Sequence, residues 1–412
     1  MTDRKEGGNL AAKEQEKKIV SNMGYTIGGA LLMNGVLQAL IYPLLNRIMG
    51  GEQLGVLLYI MGVAAIVCPS VGQALNNSRL VVRRDCEVRN GDYDFLLLLF
   101  GGAGCIAALV ICSDSFDSAG EALLTIVLLI LTVFRYYGDV EYRLNLDYRK
   151  YFIYYAVLTA GYVVGFGVYL VTHIWFLIFI LGEGAAILYL ALTGTVLKNF
   201  FGRSSCFGTA FLRGGFLTVA YLITNLTLNI DRLVLKNMIG DLAVTQYYVT
   251  SLIGKTLVLL IAPVNTIIIS YLTKREERLN RRQFLKFAGI GGGMAFAFFL
   301  CAQIGTPLFV WLFYRDLYAS VKGMTTIVNL AQILGLFSAY LFIVVLTFTE
   351  EKWQLILQVV HLAVIMVLIL WRTPSGGITG FCQAVLAANA LRVAAVICLG
   401  LWKAGCDTGR QK

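Results

Sequence analysis

The sequence predicts an all-α membrane protein of twelve transmembrane helices, arranged as two pseudo-symmetric six-helix bundles with both termini in the cytoplasm. Three observations predict it. The chain is 58% hydrophobic and 14% charged over 412 residues, more apolar surface than a soluble core can hide, so lipid must solvate most of it. Apolar runs recur at lengths of about 20 residues, enough to cross a bilayer as helix. Two stretches about 190 residues apart also share one design. Each has two amides four residues apart (Asn34 and Gln38; Asn225 and Asn229), then a glycine-acid turn (Gly50–Gly51–Glu52; Gly240–Asp241), then an apolar segment with one proline (Pro69; Pro263).

Residues 1–22 are polar and basic, with no small-residue cleavage site after the first apolar run, so that run is expected to be a retained span rather than a signal peptide. Spans are expected near 23–45, 54–75, 94–112, 121–138, 151–171 and 175–194, forming an N-terminal bundle over 23–194. A polar, basic cytoplasmic linker, 195–213, follows. Spans near 214–238, 243–271, 284–304, 325–348, 354–371 and 378–401 form the second bundle over 214–402, and 403–412 is a cytoplasmic tail. Pro307 and Trp311 lengthen the ninth span toward a re-entrant or interfacial end.

Basic residues set the orientation. Arg79–Arg83–Arg84–Arg89, Arg143–Arg149–Lys150 and Lys274–Arg275–Arg278–Arg281–Arg282 fall on one side, while the loop at 113–121 on the other is acidic. The positive-inside rule makes the basic side cytoplasmic and the protein a multi-pass resident of the cell inner membrane. Six spans per half bring both halves in from the same face, which makes them parallel repeats. The net charge of +10 is then a topology signal and an attraction to anionic lipids; nucleic acid is not an expected partner, because the basic loops are too short to form a domain.

Other classes fall away. No glycine-rich nucleotide loop, His-Glu-x-x-His or Gly-x-Ser-x-Gly occurs, so no catalytic residue is assigned, the chain is not expected to be an enzyme, and ATP does not drive it directly. The outer loops are too short to carry the catalytic groups of a membrane glycosyltransferase. Of the nine cysteines, Cys68, Cys105, Cys301, Cys382 and Cys398 fall in spans and Cys86, Cys206 and Cys406 on the cytoplasmic side. Without a Cys-x-x-Cys pair they are expected to be reduced thiols, with no metal site.

Polar side chains inside spans carry the functional signal. On a helical projection of the seventh span, Thr218, Tyr221, Asn225, Asn229, Arg232 and Lys236 fall within roughly an 80° arc, with Asp231 off it. Such a stripe faces a partner helix or a wet cavity, not lipid. Tyr248, Ser251, Lys255, Thr266 and Ser270 share a face of the eighth span, with Lys255 near mid-membrane. Tyr59, Ser70, Gln73 and Asn77 mark the second span, Asn34 and Gln38 the first. Two readings stand: these four spans line a polar, cationic substrate cavity, or the amides tie helices together. Glu183 and Arg392 occupy equivalent places in the sixth and twelfth spans. They either pair, or Glu183 takes up a coupling proton or sodium ion, the one cofactor-like species expected. His361 is either a proton relay or a packing residue. Arg135 is expected to snorkel to the inner surface.

The run Asn229–Ile–Asp231–Arg232–Leu–Val–Leu–Lys236–Asn–Met–Ile–Gly240–Asp–Leu–Ala–Val–Thr–Gln–Tyr247–Tyr248 resembles the polysaccharide flippases, exporters of O-antigen and capsular repeat units in the multidrug/oligosaccharidyl-lipid/polysaccharide (MOP) transporter superfamily. Thr306–Pro307–Leu–Phe–Val–Trp311–Leu–Phe–Tyr–Arg315–Asp–Leu–Tyr318–Ala–Ser is similar to the family's stretch between its ninth and tenth spans, and the Asn34–Gly55 and Arg135–Lys150 regions are similar in pattern. Tyr314 departs from the family's usual glycine. The resemblance implies a MATE-like pair of bundles and a polyprenyl-diphosphate-linked oligosaccharide as substrate. It also implies alternating access driven by proton or sodium antiport, for surface polysaccharide biosynthesis alongside a polysaccharide polymerase complex. The residues that would hold the substrate are Lys255, Arg232, Lys236, Asn225, Asn229, Tyr248, Ser251, Asn34 and Gln38. The alternatives are a MATE-like drug or organic-cation antiporter, which would favour acidic groups in its first or seventh span, and a non-transporting scaffold of a synthase complex.

Overall fold

The computed structural model of the chain describes residues 21–199, 202–273, 280–347, 349–350 and 352–406, with side chains throughout except at 258–273, 354–355 and 405–406. The N-terminal tail, the 274–279 part of the third basic loop, and the side chains of Pro263, Thr266, Ser270 and Cys406 therefore lie outside the described residues.

Among the described residues every long element is a helix, in keeping with apolar runs of about 20 residues. The order is α1 (21–36), a π-helical turn (Leu37–Ile41), α2 (Tyr42–Val82), α3 (Asn90–Cys112), α4 (Ala119–Gly138), the short α5 (Val140–Leu144), α6 (Tyr148–Thr172) and α7 (Phe176–Thr193). Then follow α8 (Phe207–Met238), α9 (Asp241–Thr273), α10 (Arg281–Phe313), the short α11 (Tyr318–Val321), α12 (Thr325–Leu346) and α13 (Lys352–Cys406). Among the described residues, nine continuous helical stretches are long and apolar enough to cross a membrane. Backbone amides in hydrocarbon must find partners inside the protein, and a helix supplies them within its own segment.

Two of the nine, Ser21–Val82 and Ile356–Ala404, are far longer than a bilayer is thick. Each is two helices joined across a glycine with left-handed φ: +83° at Gly50 and +52° at Gly377. A side chain there would crowd the backbone, so only glycine makes the bend without strain. The π-helical turn has its own local cause. Pro43 at the start of α2 has no N–H to give and its ring crowds the carbonyl one turn back; the chain widens, and Tyr42 N–H reaches back to Leu37 O instead.

The chain forms two compact units. The first comprises Met1–Leu45 and Ile60–Asn229, the second Asn46–Tyr59 and Ile230–Lys412. Both α2 and α8 thus contribute residues to each unit. Neither border coincides with the 195–213 linker, the end of which is already helix from Phe207.

Three expectations are corrected. First, α10 runs through Pro307 to Phe313 as one helix, which removes the re-entrant alternative and leaves the interfacial one. Tyr314, which stands where the resemblance favours glycine, is fully buried with φ −134°, a backbone conformation open to any residue. Second, Cys86 and Cys206 form a disulfide across 120 residues, with Cα atoms 6.2 Å apart, and are not reduced thiols. The linker is laid against the start of α3: Asn90 Nδ2 donates to Thr195 O and Lys198 O, and Asp92 accepts from Ser204 N. Nothing in the local sequence reveals that approach. Cys68, Cys105, Cys301, Cys382 and Cys398 are free thiols, as expected. Third, Arg135 does not snorkel, as the site geometry makes plain.

Candidate functional site

In the first unit the polar stripe of α8 meets α2. Asn77 Nδ2 donates to Tyr221 Oη at 2.6 Å, and Asn225 Nδ2 to Ser70 Oγ at 3.0 Å. Asn229 Nδ2 turns back to Asn225 O at 3.0 Å. Asn34 Nδ2 reaches Ala30 O at 2.8 Å, and Gln38 Nε2 reaches Asn34 Oδ1 at 3.5 Å. All four amides are half-buried. Asn225 therefore ties two helices together, while the first-span pair bonds within its own helix. Gln38 also lies in the π-helical turn, a local widening that recurs at functional sites.

The charged residues gather in the second unit. Lys255 Nζ stands 2.5 Å from Asp231 Oδ2, and the other oxygen of that carboxylate accepts the Arg232 backbone N–H at 3.0 Å. Asp231, set aside in the helical projection as off the polar face, is thus the counter-ion of Lys255. A projection of one helix cannot see a partner on the next. The pair also answers an energetic need, since an unmatched lysine in a span costs about 2.5–3.5 kcal/mol. Lys255 Nζ lies 5.9 Å from the Tyr247 ring centroid, and Gln332 holds the Tyr247 hydroxyl at 3.2 Å.

Lys236 Nζ pairs with Asp241 Oδ1 at 2.6 Å, 5.6 Å from the centre of the Tyr59 ring. Arg232 is held differently. Its Nη1 donates to Leu58 O at 3.3 Å, its guanidinium lies 5.1 Å from the buried Tyr248 ring, and its buried Nε has no hydrogen-bond partner. Ser251 is fully buried and donates to Tyr248 O, so its hydroxyl proton is spent on its own helix. Three cations (Arg232, Lys236, Lys255) face two carboxylates (Asp231, Asp241), leaving a net charge of +1 on the cluster.

The two glycine-acid turns place this cluster. Gly240, with φ +125°, ends α8 and begins α9. Thr245 Oγ1 then donates to Gly51 O at 2.7 Å, and a Cβ on Gly55 would stand 2.0 Å from Asp241 O. Backbones meet there because no side chain intervenes. Beside the contact is a cavity of about 440 Å³, lined by Glu52, Gly240, Asp241, Gln246 and Ile378 among others. Sequence reasoning missed Asn46, whose Nδ2 donates to both oxygens of Asp316 at 3.1 and 2.9 Å. The available signal was slight, an asparagine one residue past the first expected span.

Glu183 belongs to a separate cluster in the first unit. Arg135 Nε lies 2.7 Å from Glu183 Oε2, with side chains 5% and 3% exposed. Tyr162 Oη donates to Oε1 at 2.9 Å, and the Arg135 guanidinium covers the Tyr136 ring at 3.9 Å. The partner of Glu183 is therefore Arg135, not Arg392, whose Nε is buried without a hydrogen bond. His361 is buried.

Three solved transporter structures match the whole path of this chain. An inward-facing MATE-family multidrug transporter of the MOP superfamily superposes with a TM-score of 0.69 at 14% identity, over 93% of this chain and 95% of that one. An outward-facing MATE structure gives 0.58 at 16% identity, over 95% and 96%. The chain has the MATE transporter fold. A MOP superfamily transporter from Pyrococcus furiosus, described as having a binding pocket of reverse polarity that suggests a different function, gives 0.50 at 16% identity over 94% and 93%. No protein-family model and no curated protein matches the sequence. At such identities the MATE fold sets the course of the helices, while the chemistry rests on the side chains this chain places on them.

Proposed function

We propose that this chain is a flippase that moves a polyprenyl-diphosphate-linked oligosaccharide from the inner to the outer leaflet of the cytoplasmic membrane by alternating access. In this reading it has twelve spans, two six-helix bundles and both termini inside, and it serves surface polysaccharide synthesis alongside a polymerase complex. The observation that carries the reading is Arg232. Among the described residues it is a guanidinium with no carboxylate partner, a buried unpartnered Nε and a tyrosine face against it, in a cluster of net charge +1.

A diphosphate suits that group through charge-assisted hydrogen bonds, which are shorter and about twice as strong as neutral ones. Lys236 and Lys255 would meet the same headgroup by exchanging Asp241 and Asp231 for it, with Tyr248 beside them in the same unit. Cation export is the other activity of this fold to weigh, and it calls for carboxylates. None occurs in α1, and the two in the cluster are already neutralised by lysine. The reverse-polarity pocket described for the Pyrococcus furiosus protein is a precedent, within this fold, for a pocket whose charge departs from the drug exporters.

Mass spectrometry of polyprenyl-linked glycans in cells with and without the gene tests the proposal. A completed repeat unit should accumulate on its carrier when the gene is deleted and clear when it is restored. An unchanged lipid profile together with new sensitivity to cationic drugs would overturn the proposal in favour of the exporter.

A further inference from the structure

The basic run at the end of α2 plays no part in the proposed transport. It lines a cavity of about 520 Å³ wholly within the first unit, with Arg79, Arg83, Arg84, Glu141, Asn145 and Thr195 among its walls. Arg79 is 8% exposed and held rigidly: Nη1 donates to Tyr137 Oη and Nη2 to Asn90 Oδ1, both at 2.5 Å. Its Nε is buried with no hydrogen-bond partner. A buried donor left unmade costs about 1–3 kcal/mol, so Arg79 lines the cavity with its donor capacity incompletely met.

Arg83 and Arg84 are exposed on the same cavity. Arginines at a helix C-terminus often serve only to cap it. Here the backbone does that work: the N–H groups of Arg83, Arg84, Asp85 and Cys86 bond Arg79 O, Val81 O and Val82 O. The carboxylates nearby are mostly committed. Asp85 pairs with Arg213 at 3.0 Å, and Glu141 accepts from Thr195 N, Val196 N and Asn145 Nδ2. Glu141 keeps its charge, because its donors are neutral, so three arginines stand against Glu87 and Glu141, +3 − 2 = +1. Asp94, within electrostatic reach of Arg79, does not line the cavity.

We propose that this cavity is a binding site for a phosphate-class oxyanion at the membrane surface. Arg79 supplies the fixed donor; Arg83 and Arg84 close on the ligand. Apolar side chains lie beside it as well as charges: Leu144 and Val196 line the cavity, and Leu146, next in the chain after Asn145, is 64% exposed. The Cys86–Cys206 disulfide holds one wall in place. The ligand is either the phosphate of an anionic lipid headgroup or free phosphate. The site stands whether or not the chain is a flippase.

Native mass spectrometry of the delipidated full-length protein tests it, with phosphatidylglycerol, phosphatidylcholine and inorganic phosphate as separate probes. Arg83→Gln and Arg84→Gln are compared with Arg89→Gln, which removes the same charge from the same loop but does not line the cavity. One phosphatidylglycerol should bind about tenfold tighter than phosphatidylcholine, with either cavity variant losing about tenfold and Arg89→Gln losing little. Displacement of the lipid by inorganic phosphate would identify the free oxyanion as a ligand; resistance to it would identify the lipid. Absence of selective binding, or an equal loss in Arg89→Gln, would overturn the site.

Discussion

Lys255 and Asp231 form an ion pair at 2.5 Å between α9 and α8, and neither is independent of the other. Their side chains are 30% and 10% exposed, so the pair is neither dry nor freely solvated. A double-mutant cycle with Lys255→Ala and Asp231→Asn should give a coupling energy of about 1–2 kcal/mol. Because water reaches the pair, either unmatched charge can be solvated, so both single variants should fold; on the proposed function each should lose transport. Normal transport by a well-expressed Lys255→Ala protein would remove Lys255 from the substrate site.

The Arg135–Glu183 pair should behave as a structural element. Both side chains are buried and Tyr162 also bonds the carboxylate. Glu183→Gln should lower stability by about 3–5 kcal/mol by leaving a buried guanidinium without its counter-ion, seen as a lower Tm in detergent. A Glu183→Gln protein that keeps its Tm but loses ion-driven transport would instead restore the coupling role.

Asp94 should respond in the opposite sense. It is fully buried and both carboxylate oxygens lack a hydrogen-bond partner. Replacing an unsatisfied buried polar group removes a cost of about 1–3 kcal/mol, so Asp94→Leu should raise the Tm or leave it unchanged. A fall comparable to that of Glu183→Gln would mean that the attraction between Asp94 and Arg79 outweighs the cost of its unmatched oxygens.

Gly55→Ala should be among the more damaging small substitutions. The added methyl would stand 2.0 Å from Asp241 O, a backbone atom that cannot rotate away. A cost of about 1–3 kcal/mol is expected from such overpacking. Gly102→Ala is the control, with nothing within 4 Å of its added methyl; it should gain slightly from helix propensity. Paired thermal melts decide it.

The disulfide makes a chemical prediction. Under non-reducing denaturation Cys86 and Cys206 should resist alkylation while Cys68, Cys105, Cys112, Cys301, Cys382 and Cys398 react. Cys86→Ser should cost about 2–4 kcal/mol in oxidised protein and nothing once it is reduced. Labelling of Cys86 without reductant would return it to the thiols expected from sequence.

Much of this protein was determined by sequence alone. The all-helical membrane class follows from hydropathy and run length, because lipid leaves the backbone few alternatives. The glycine-acid turns at Gly50 and Gly240 were legible too, and both adopt positive φ, as residues free of a Cβ can. The polar stripe of α8 was visible as a period, which is a property of one helix. Its partners were not, because a helical period says which residues share a face and nothing about what that face meets. Only the tertiary structure decided that Asp231 answers Lys255, that Arg135 rather than Arg392 answers Glu183, and that Cys86 reaches Cys206. Charges and thiols choose partners by distance in space, and the fold sets that distance.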